Sequence, residues 1–275
     1  MQVSQQSFRS EAIKPLIGAT VRADKEVLLS GEYAQDIRAL LAESGVIVFA
    51  GAQFSDEEQV RFTKTLGKWM PEGDREVYPI SMDKTVNPNA DYIKGAFYWH
   101  IDGTMDRVPL FASLLSCRRK APAGGNTDFC NTYSAWEALP GAEQETLKDL
   151  RVIHSFAASQ MYWNPEPSDA DMAVWEQKGE AELPLVWLHD SGRRSLVLGC
   201  TADRIVGMDP AASRVLLNRL RNWATQEQFS MSHDWTVGDA VLWDNTGTMH
   251  RAQPYPLDCD RLMHRTKLEG EEAFS

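Results

Sequence analysis

Apolar residues recur at helical spacing in three segments of the chain. The first, residues 32–44, places its apolar side chains on one face and is followed by Gly45, which suits a left-handed helix cap. The second, residues 55–66, begins with a serine and a glutamate at capping-box spacing. The third, residues 209–223, opens with an Asp-Pro pair, which is typical of the first turn of a helix. These patterns predict three helices.

Elsewhere the hydrophobic positions form short β-branched and aromatic runs separated by Gly, Pro, Asn and Asp. Runs of this kind are typical of strands in barrels or sandwiches. They predict strands at residues 46–49, 96–101, 185–189, 195–199 and 240–243. Because the chain has neither an internal repeat nor a linker, residues 1–275 are expected to form one mainly β domain, a barrel with helices packed outside it.

Composition narrows the choice of partners. The 28 Lys and Arg against 39 Asp and Glu give a net charge of −11, which repels a phosphate backbone, so nucleic acid is not expected. The N-terminus lacks the features of a leader, and no run approaches the roughly 18 apolar residues of a membrane span. We therefore expect a cytoplasmic protein without a membrane partner. The four cysteines have no CxxC pair and are expected to be isolated buried thiols: Cys117, Cys130, Cys200 and Cys259.

Six histidines limit where an imidazole metal site can be built. His100 and Asp102 lie two residues apart on the predicted strand 96–101, and the period of a strand points both side chains to one face. His250 follows the turn that ends the predicted strand 240–243. Two histidines and one carboxylate are the facial ligand set of non-haem Fe(II) oxygenases. Taken alone, the first pair is also compatible with a core histidine beside a turn aspartate.

Arg261 and Arg265 lie four residues apart near the C-terminus. On a strand they would share one face at a separation of about 13 Å. Two guanidiniums facing a barrel interior need anionic partners, whereas a surface ion pair is the alternative for either arginine alone. The remaining histidines lack a partner at ligand spacing and are expected to be structural: His154, His189, His233 and His264.

Together, these signals resemble the TauD/TfdA-type family of Fe(II)- and 2-oxoglutarate-dependent dioxygenases. A histidine lies 150 residues after His100, and arginines lie 11 and 15 residues beyond that histidine. The resemblance covers almost the whole chain through six strings: IKPLIGATVRAD, GVIVFAGAQFSDEEQ, WHIDGT, APAGGNTDF, VLWDNTGTMHRA and RLMHRTKL. It implies a double-stranded β-helix, the jelly-roll or cupin-like barrel. One departure is Thr246, which stands where many members have an arginine.

The resemblance also implies a role for each matching residue. His100, Asp102 and His250 match the ligands of Fe(II). Arg261 matches the arginine that pairs with the distal carboxylate of 2-oxoglutarate, and Thr127 matches the hydroxyl that hydrogen-bonds the same carboxylate. The implied reaction consumes 2-oxoglutarate and O2, releases succinate and CO2, and hydroxylates a C–H bond. The residues alone leave open a non-oxidative barrel that binds a metal or small acid, and a hydrolytic zinc enzyme.

The implied substrate is a small or medium-sized organic anion. Arg265 matches an arginine that faces the substrate's acidic group in several members, although others use it nearer the cosubstrate. Tyr98 and Met105 offer apolar surface near the predicted metal strand. Glu72 and Asp74 lie where taurine enzymes have a histidine, so they disfavour a sulfonate and suit an ammonium group. An aryloxyalkanoate or an alkyl sulfonate or sulfate, cleaved at C–O or C–S after hydroxylation, is the alternative, and homo-oligomerisation is left open.

Overall fold

The computed structural model describes residues 8–275 except the side chain of Tyr92, so the first seven residues of the segment in which no leader is expected lie outside the described residues. Its helices are α1 (Lys25–Ser30), α2 (Ala34–Ser44), α3 (Asp56–Leu66), α4 (Ala90–Ile93), α5 (Thr132–Glu137), α6 (Gly141–Leu147), α7 (Phe156–Gln160), α8 (Asp169–Glu176) and α9 (Pro210–Ala224). Two short 3-10 helices cover Lys94–Phe97 and Glu227–Phe229.

The strands are β1 (Arg9–Ala12), β2 (Ala19–Arg22), β3 (Val46–Phe49), β4 (Trp69–Met70), β5 (Tyr78–Ile80), β6 (Ala112–Arg119), β7 (Thr127–Asn131), β8 (Arg151–Ser155), β9 (Glu180–Pro184), β10 (Val186–Leu188), β11 (Arg194–Leu196), β12 (Ala202–Ile205), β13 (Ser230–His233), β14 (Ala240–Asp244), β15 (Thr248–Ala252) and β16 (Leu262–Leu268).

The largest sheet has eight strands in the order β1-β2-β3-β14-β6-β16-β4, with β5 also paired to β16. At its centre β14 lies antiparallel to both neighbours, and Leu242 is opposite Ile47 on β3 and Leu114 on β6. Every residue of β3 and β14 is buried. Strands that are covered on both faces need continuous apolar runs, and the VIVF and AVLW sequences supply them.

A second sheet, of order β13-β7-β15, packs against one face of the first. The rings of Phe129 on β7 and Trp243 on β14 meet at 5.6 Å between centroids. Buried side chains from both sheets fill the space between them: Val46, Val48, Leu115, Phe129, Met231, Trp235, Val241, Trp243 and Met263. This core supports the face of the second sheet from which His250 projects, because Phe129 is the residue paired with His250.

The remaining strands form a three-stranded sheet, β12-β8-β9, and a β10-β11 hairpin. Helix α9 packs there through Leu217 and Leu220, which join the same core as Leu196 and Ile205. The molecule is therefore mainly β with helices on its flanks, as expected. Within residues 8–275, none of the four sheets closes on itself as a continuous barrel.

The three predicted helices are confirmed as α2, α3 and α9. Gly45 adopts a φ of 72° and donates its N–H to Leu41 at the end of α2. Ser55 and Glu58 form the predicted capping box of α3, and the Asp209 side chain accepts two backbone N–H groups at the start of α9. Six more helices are present, and five of them interrupt the part of the chain after α3 where β texture was expected. They are short, between 4 and 8 residues, so periodicity carries little signal over their length.

Four of the predicted strands are present as β3, β10, β11 and β14, although β10 and β11 are shorter than expected. The predicted strand at 96–101 is wrong. Its first two residues end a 3-10 helix that is closed by a hydrogen bond from Tyr98 N–H to Gly95 O. His100 alone forms an isolated β-bridge with His250. The aromatic run AFYW suits a strand locally, but strand formation depends on a partner, and here only one residue has one.

All four cysteines are free thiols; Cys117, Cys130 and Cys200 are buried, whereas Cys259 is half-exposed, which corrects the expectation of four buried ones. Burial raises the pKa of Cys130 and Cys200 to about 12, so both remain protonated. Across residues 8–275, the model has no helix of the length and apolarity that a bilayer crossing requires. The cytoplasmic location stays a prediction.

Candidate active site

The structure brings His100, Asp102 and His250 together. His100 and His250 exchange both backbone hydrogen bonds of an isolated bridge, at 3.0 and 2.9 Å. Their rings lie 4.1 Å apart between centroids, and both Nε2 atoms lie 3.8 Å from Asp102 Oδ1. The three ligand atoms are all within 4.8 Å of one another. Among residues 8–275 this is the only group of three or more His, Cys, Asp or Glu side chains that could hold a metal ion.

The protonation of the cluster suits a divalent cation. His100 Nδ1 lies 2.8 Å from the Tyr98 carbonyl oxygen, which can only accept, so Nδ1 carries the proton and Nε2 offers its lone pair. Burial, with the neighbouring His100, lowers the pKa of His250 to about 3, and its ring is therefore neutral. Two imidazole nitrogens and one carboxylate oxygen form a donor set that fits Fe(II).

Asp102 is the anionic member of the cluster. Burial opposes its ionisation, but the guanidinium of Arg265, the two histidines and a hydrogen bond from Ser113 outweigh that effect and hold the pKa of the carboxyl well below its usual range. Ser113 Oγ donates to Asp102 Oδ2 at 2.9 Å. Oδ1, the oxygen nearest both Nε2 atoms, is thus left to face the histidines.

Asp102 does not lie on a strand, and the geometric reason given for its pairing with His100 is wrong. The sequence Asp102 to Met105 forms a turn, in which Thr104 Oγ1 donates to the Ile101 carbonyl at 2.7 Å. Gly103 adopts a φ of +75° there, a conformation that favours glycine. The turn, rather than strand periodicity, aims the carboxylate at the two imidazoles.

Arg261 is buried, with 4% of its surface exposed. Its Nη2 donates to the Gly125 carbonyl at 3.2 Å, and its guanidinium stacks over the Tyr255 ring at 4.7 Å. Among the described residues, no carboxylate lies within ion-pair distance of it. A buried guanidinium without an internal anionic partner is costly, and an anionic ligand would reduce that cost.

Two glycines let the loop before β7 fit against Arg261. A Cβ on Gly124 would lie 2.1 Å from the Pro254 carbonyl oxygen, and one on Gly125 would lie 3.1 Å from Arg261 Nε. Both glycines have positive φ. The GGNT string therefore has a packing reason for its glycines, and it leads directly into Thr127.

Thr127 is buried at the start of β7. Trp235 Nε1 donates to Thr127 Oγ1 at 2.9 Å. Because the indole can only donate, the hydroxyl proton of Thr127 is free to be given to an acceptor such as a carboxylate. Trp235 thus orients the hydroxyl, a role that nothing in the sequence pattern indicates.

Arg265 does not share a continuous strand with Arg261. Strand β16 begins at Leu262, and its register against β6 shifts between Leu262 and Met263. Only Arg265 therefore lies on the strand that was expected to carry both arginines, and the separation of about 13 Å between them stays a prediction. Arg265 Nη1 lies 3.5 Å from both oxygens of Asp102, and Nη2 donates to Glu72 Oε2 at 2.7 Å. Its guanidinium borders the metal cluster directly.

Tyr98 lies two residues before His100, and Met105 lies three residues after Asp102. The Tyr98 carbonyl orients His100, while its ring packs against Tyr162 at 5.0 Å. Tyr98 also lines a cavity of about 370 Å³ with Trp99. Met105 is half-buried in the turn that holds Asp102.

The other four histidines have protein partners. Nδ1 of buried His154 lies 2.9 Å from Thr201 Oγ1, and burial lowers the pKa of His154 to about 3. His264 pairs with Asp56 at 2.7 Å, and His233 lies 3.2 Å from Asp239. His189 contacts Ser195 at 2.8 Å and Glu272 at 3.3 Å. None of them joins a second group of potential ligands within residues 8–275.

Sequence reasoning missed Ser113 and Gly199. Ser113 lies on β6, 11 residues after Asp102, in a run without any charged neighbour that would attract notice. Gly199 lies against the backbone of His100, and a Cβ there would be 3.0 Å from Trp99 O and 3.1 Å from His100 Cα. It was expected only as the end of a strand.

Comparison with known proteins gives the family. Residues 9–267 match the model of the taurine catabolism dioxygenase TauD, TfdA family. The chain is 30% identical over 279 residues to an alpha-ketoglutarate-dependent 2,4-dichlorophenoxyacetate dioxygenase of Cupriavidus pinatubonensis, with 94% of this chain and 96% of that protein covered. It is also 30% identical over 268 residues to an alpha-ketoglutarate-dependent sulfate ester dioxygenase of Pseudomonas putida, with 93% and 87% covered.

The fold is similar to that of AAD-2, solved in complex with Mn(II) and N-oxalylglycine, with a TM-score of 0.84, 27% identity and coverage of 98% of this chain and 100% of that one. These matches favour the oxygenase over the non-oxidative barrel and the zinc hydrolase that the residues left open. The chain belongs to the TauD/TfdA family and is a 2-oxoglutarate-dependent dioxygenase that uses Fe(II) and O2.

Proposed function

We propose that the enzyme hydroxylates a C–H bond of a small or medium-sized organic anion. In this proposal His100, Asp102 and His250 hold Fe(II), and Arg265 binds the acidic group of the substrate. The observation that carries it is the position of the Arg265 guanidinium, 3.5 Å from the carboxylate of the proposed ligand Asp102. An anion bound there would hold its neighbouring carbon atoms close to the reacting centre.

Arg261 and Thr127 are proposed to bind the distal carboxylate of 2-oxoglutarate. The Arg261 guanidinium is buried without an anionic partner among the described residues, and the Thr127 hydroxyl has a proton to donate. A carboxylate placed between them would gain a charge-assisted and a neutral hydrogen bond. Iron held by these ligands would supply the chemistry in which O2 is consumed, one of its oxygen atoms going to the hydroxylated substrate and the other to the succinate formed, with CO2, from 2-oxoglutarate.

The protein's own contribution is positioning and exclusion of water. The rings of Trp243 and Phe129 pack around His250 at 4.6 and 6.2 Å between centroids. They bury His250 in apolar surroundings, which lower its pKa and keep its imidazole neutral. Tyr98 and Met105 are proposed to supply apolar surface for the body of the substrate.

The fold proposed for this function is a single domain, residues 1–275, built as a double-stranded β-helix. Its two faces would be the eight-stranded sheet and the β13-β7-β15 sheet, which enclose the core around Trp243 and Phe129. The proposed ligands and anion-binding arginines come from both faces or from the loops that join them.

A cleavage reaction is the second candidate. The two relatives named above act on an aryloxyacetate and on sulfate esters, in which a C–H bond adjoins an ether or ester oxygen. Hydroxylation at such a carbon gives a hemiacetal-type product that breaks down to a carbonyl compound. The same site would then release a phenol or sulfate without any additional catalytic group.

The experiment is a screen of organic acids and sulfate esters, each paired with a neutral amide or alcohol of the same shape. Oxygen uptake and succinate release would be measured with the wild type, Arg265→Ala and the control Arg119→Ala, whose side chain is exposed and paired with Asp260. We expect the wild type and the control to turn over the acids faster than their neutral analogues, and Arg265→Ala to lose this preference. Equal turnover of an acid and its amide by the wild type would contradict the role of Arg265.

A further inference from the structure

One edge of the Arg265 guanidinium is only partly used. Its Nη2 donates to Glu72 Oε2 at 2.7 Å, whereas Nε is buried and has no hydrogen-bond partner among residues 8–275. Nη1 lies 3.5 Å from both oxygens of Asp102. Nε and Nη2 together therefore have a single acceptor oxygen, and one buried donor is left unsatisfied.

That edge fits a two-oxygen anion better than it fits Glu72. The N–H groups on Nε and Nη2 point the same way and match the two oxygens of a carboxylate or of a sulfate. A ligand that bound both would satisfy the buried Nε donor as well as Nη2. An unsatisfied buried donor is costly, so the exchange of Glu72 for such a ligand gains a hydrogen bond that the free protein lacks.

Glu72 has a second cation to which it can turn. Lys267 lies two residues after Arg265 on β16, and its Nζ is 3.6 Å from the same Glu72 oxygen. The Glu72 backbone is held by two hydrogen bonds to Arg75, at 3.0 and 3.2 Å. Rotation of the side chain alone, which is 29% exposed, would release Arg265 and keep the carboxylate paired. Displacement of Glu72 from Arg265 by an anionic ligand would thus leave both Glu72 and Arg265 with a partner of opposite charge.

We propose that Glu72 determines specificity as an internal counter-ion, which occupies Arg265 in the free enzyme and is displaced by the acidic group of the substrate. The inference rests on the proposed role of Arg265 as the substrate's anion-binding residue. Glu72 disfavours ligands that contact Arg265 through one atom, since these gain no more than Glu72 already supplies. Carboxylates and sulfates, which bind both nitrogens, overcome the competition. An ammonium partner for Glu72 is disfavoured, because its charge is already matched by two cations.

The test uses binding rather than turnover. Wild type, Glu72→Gln and the control Asp74→Asn would be loaded anaerobically with Fe(II) and N-oxalylglycine, then titrated with phenoxyacetate and with phenoxyacetamide by calorimetry. Asp74 is an exposed carboxylate of the same turn. We expect phenoxyacetate to bind Glu72→Gln about tenfold more tightly than the wild type, because a partly buried competing ion pair is removed. The amide should be unaffected, and Asp74→Asn should match the wild type.

A second pair of variants separates this inference from the proposed function. Arg265→Lys keeps the charge but lacks the two-nitrogen edge, so the gain from Glu72→Gln should shrink to less than about twofold in that background. If Arg265→Lys binds phenoxyacetate like the wild type, the proposed anion-binding role of Arg265 fails. If Arg265→Lys binds weakly but Glu72→Gln binds no more tightly than the wild type, the counter-ion inference fails alone.

Two further outcomes would also overturn the counter-ion role. One is the absence of phenoxyacetate binding to both the wild type and Glu72→Gln. The other is binding of 2-phenoxyethylamine to the wild type that Glu72→Gln abolishes, since Glu72 would then be an ammonium site.

Discussion

The hydroxyl of Ser113 donates a 2.9 Å hydrogen bond to Oδ2 of Asp102. Ser113 also accepts a 3.0 Å hydrogen bond from the Asn245 amide, so the hydroxyl cannot rotate freely. Asn245 is in turn bonded to the indole of Trp243, between the two main sheets. A chain of buried polar contacts therefore runs from the sheet core to the proposed ligand carboxylate and fixes which of its oxygens faces the histidines.

Replacing Ser113 with alanine is expected to weaken iron binding about 10- to 100-fold, because partners that orient a ligand contribute that much to metal affinity. Asp102 would remain, but its carboxylate would be free to rotate. Equilibrium titration with Fe(II) under anaerobic conditions measures the change. The matched control is Ser116→Ala on the same strand, whose hydroxyl donates to Gln59 instead. Equal iron affinities in the two variants would rule out the positioning role.

The proposed iron site is tested by Asp102→Ala and His250→Ala. Both variants are expected to lose at least about tenfold in bound iron per chain after desalting, since three ligands must act together. Circular dichroism should show an intact fold. His264→Gln is the control, because His264 is paired with Asp56 outside the cluster. Iron retained at wild-type levels in Asp102→Ala would show that the cluster is not the iron site.

Arg261→Ala is expected to weaken binding of 2-oxoglutarate on the order of 100-fold or more, as removal of one partner from a buried ion pair costs about 3–5 kcal/mol. Both the KM for 2-oxoglutarate and the Kd for N-oxalylglycine should rise, whereas bound iron should not change. Arg151→Ala, whose exposed side chain pairs with Glu182 on the separate three-stranded sheet, should leave both values as they are. An unchanged Kd in Arg261→Ala would reassign this arginine.

The sequence was sufficient for the parts of the molecule that local patterns control. Caps and glycines located α2, α3 and α9, and continuous apolar runs located β3 and β14. Residue types and their order brought out the three cluster residues, although the strand that was meant to join His100 to Asp102 does not exist. The family pattern was right where its geometric explanation was wrong.

Contacts between distant segments were not readable in the same way. Ser113 contacts Asp102 because the fold places β6 beside the turn that follows His100. Glu72 reaches Arg265 only because β4 and β5 both pair with β16 and bring their connecting turn beside it. A single sequence carries no signal for such pairings, since neither residue changes the local pattern around the other.

The turn between β14 and β15 contains Thr246, which hydrogen-bonds the carboxylate of Asp244. Thr246 stands where many relatives of this type have an arginine, and it gives Asp244 a backbone and a hydroxyl hydrogen bond, at 2.8 and 2.6 Å. No lysine or arginine within residues 8–275 forms an ion pair with Asp244. Burial raises the pKa of Asp244 from 3.8 to about 6, against those two hydrogen bonds.

Asp244→Asn is therefore expected to change how stability depends on pH. The raised pKa means that the folded state holds the proton of Asp244 more tightly than the unfolded chain does. The resulting stabilisation is complete below about pH 4 and is lost as the pH rises through 6. A shift of this size corresponds to about 2–3 kcal/mol. Asparagine cannot ionise, and its Oδ1 can still accept the hydrogen bonds from Thr246. The wild type should therefore lose about 2–3 kcal/mol of unfolding free energy between pH 4 and 8 that the variant keeps, so the difference between variant and wild type should increase by that amount. Urea unfolding at pH 4 and pH 8 measures this change, and Asp258→Asn, at an exposed position, is the control. If the stability difference between Asp244→Asn and the wild type were the same at both pH values, the pKa of Asp244 would not be raised.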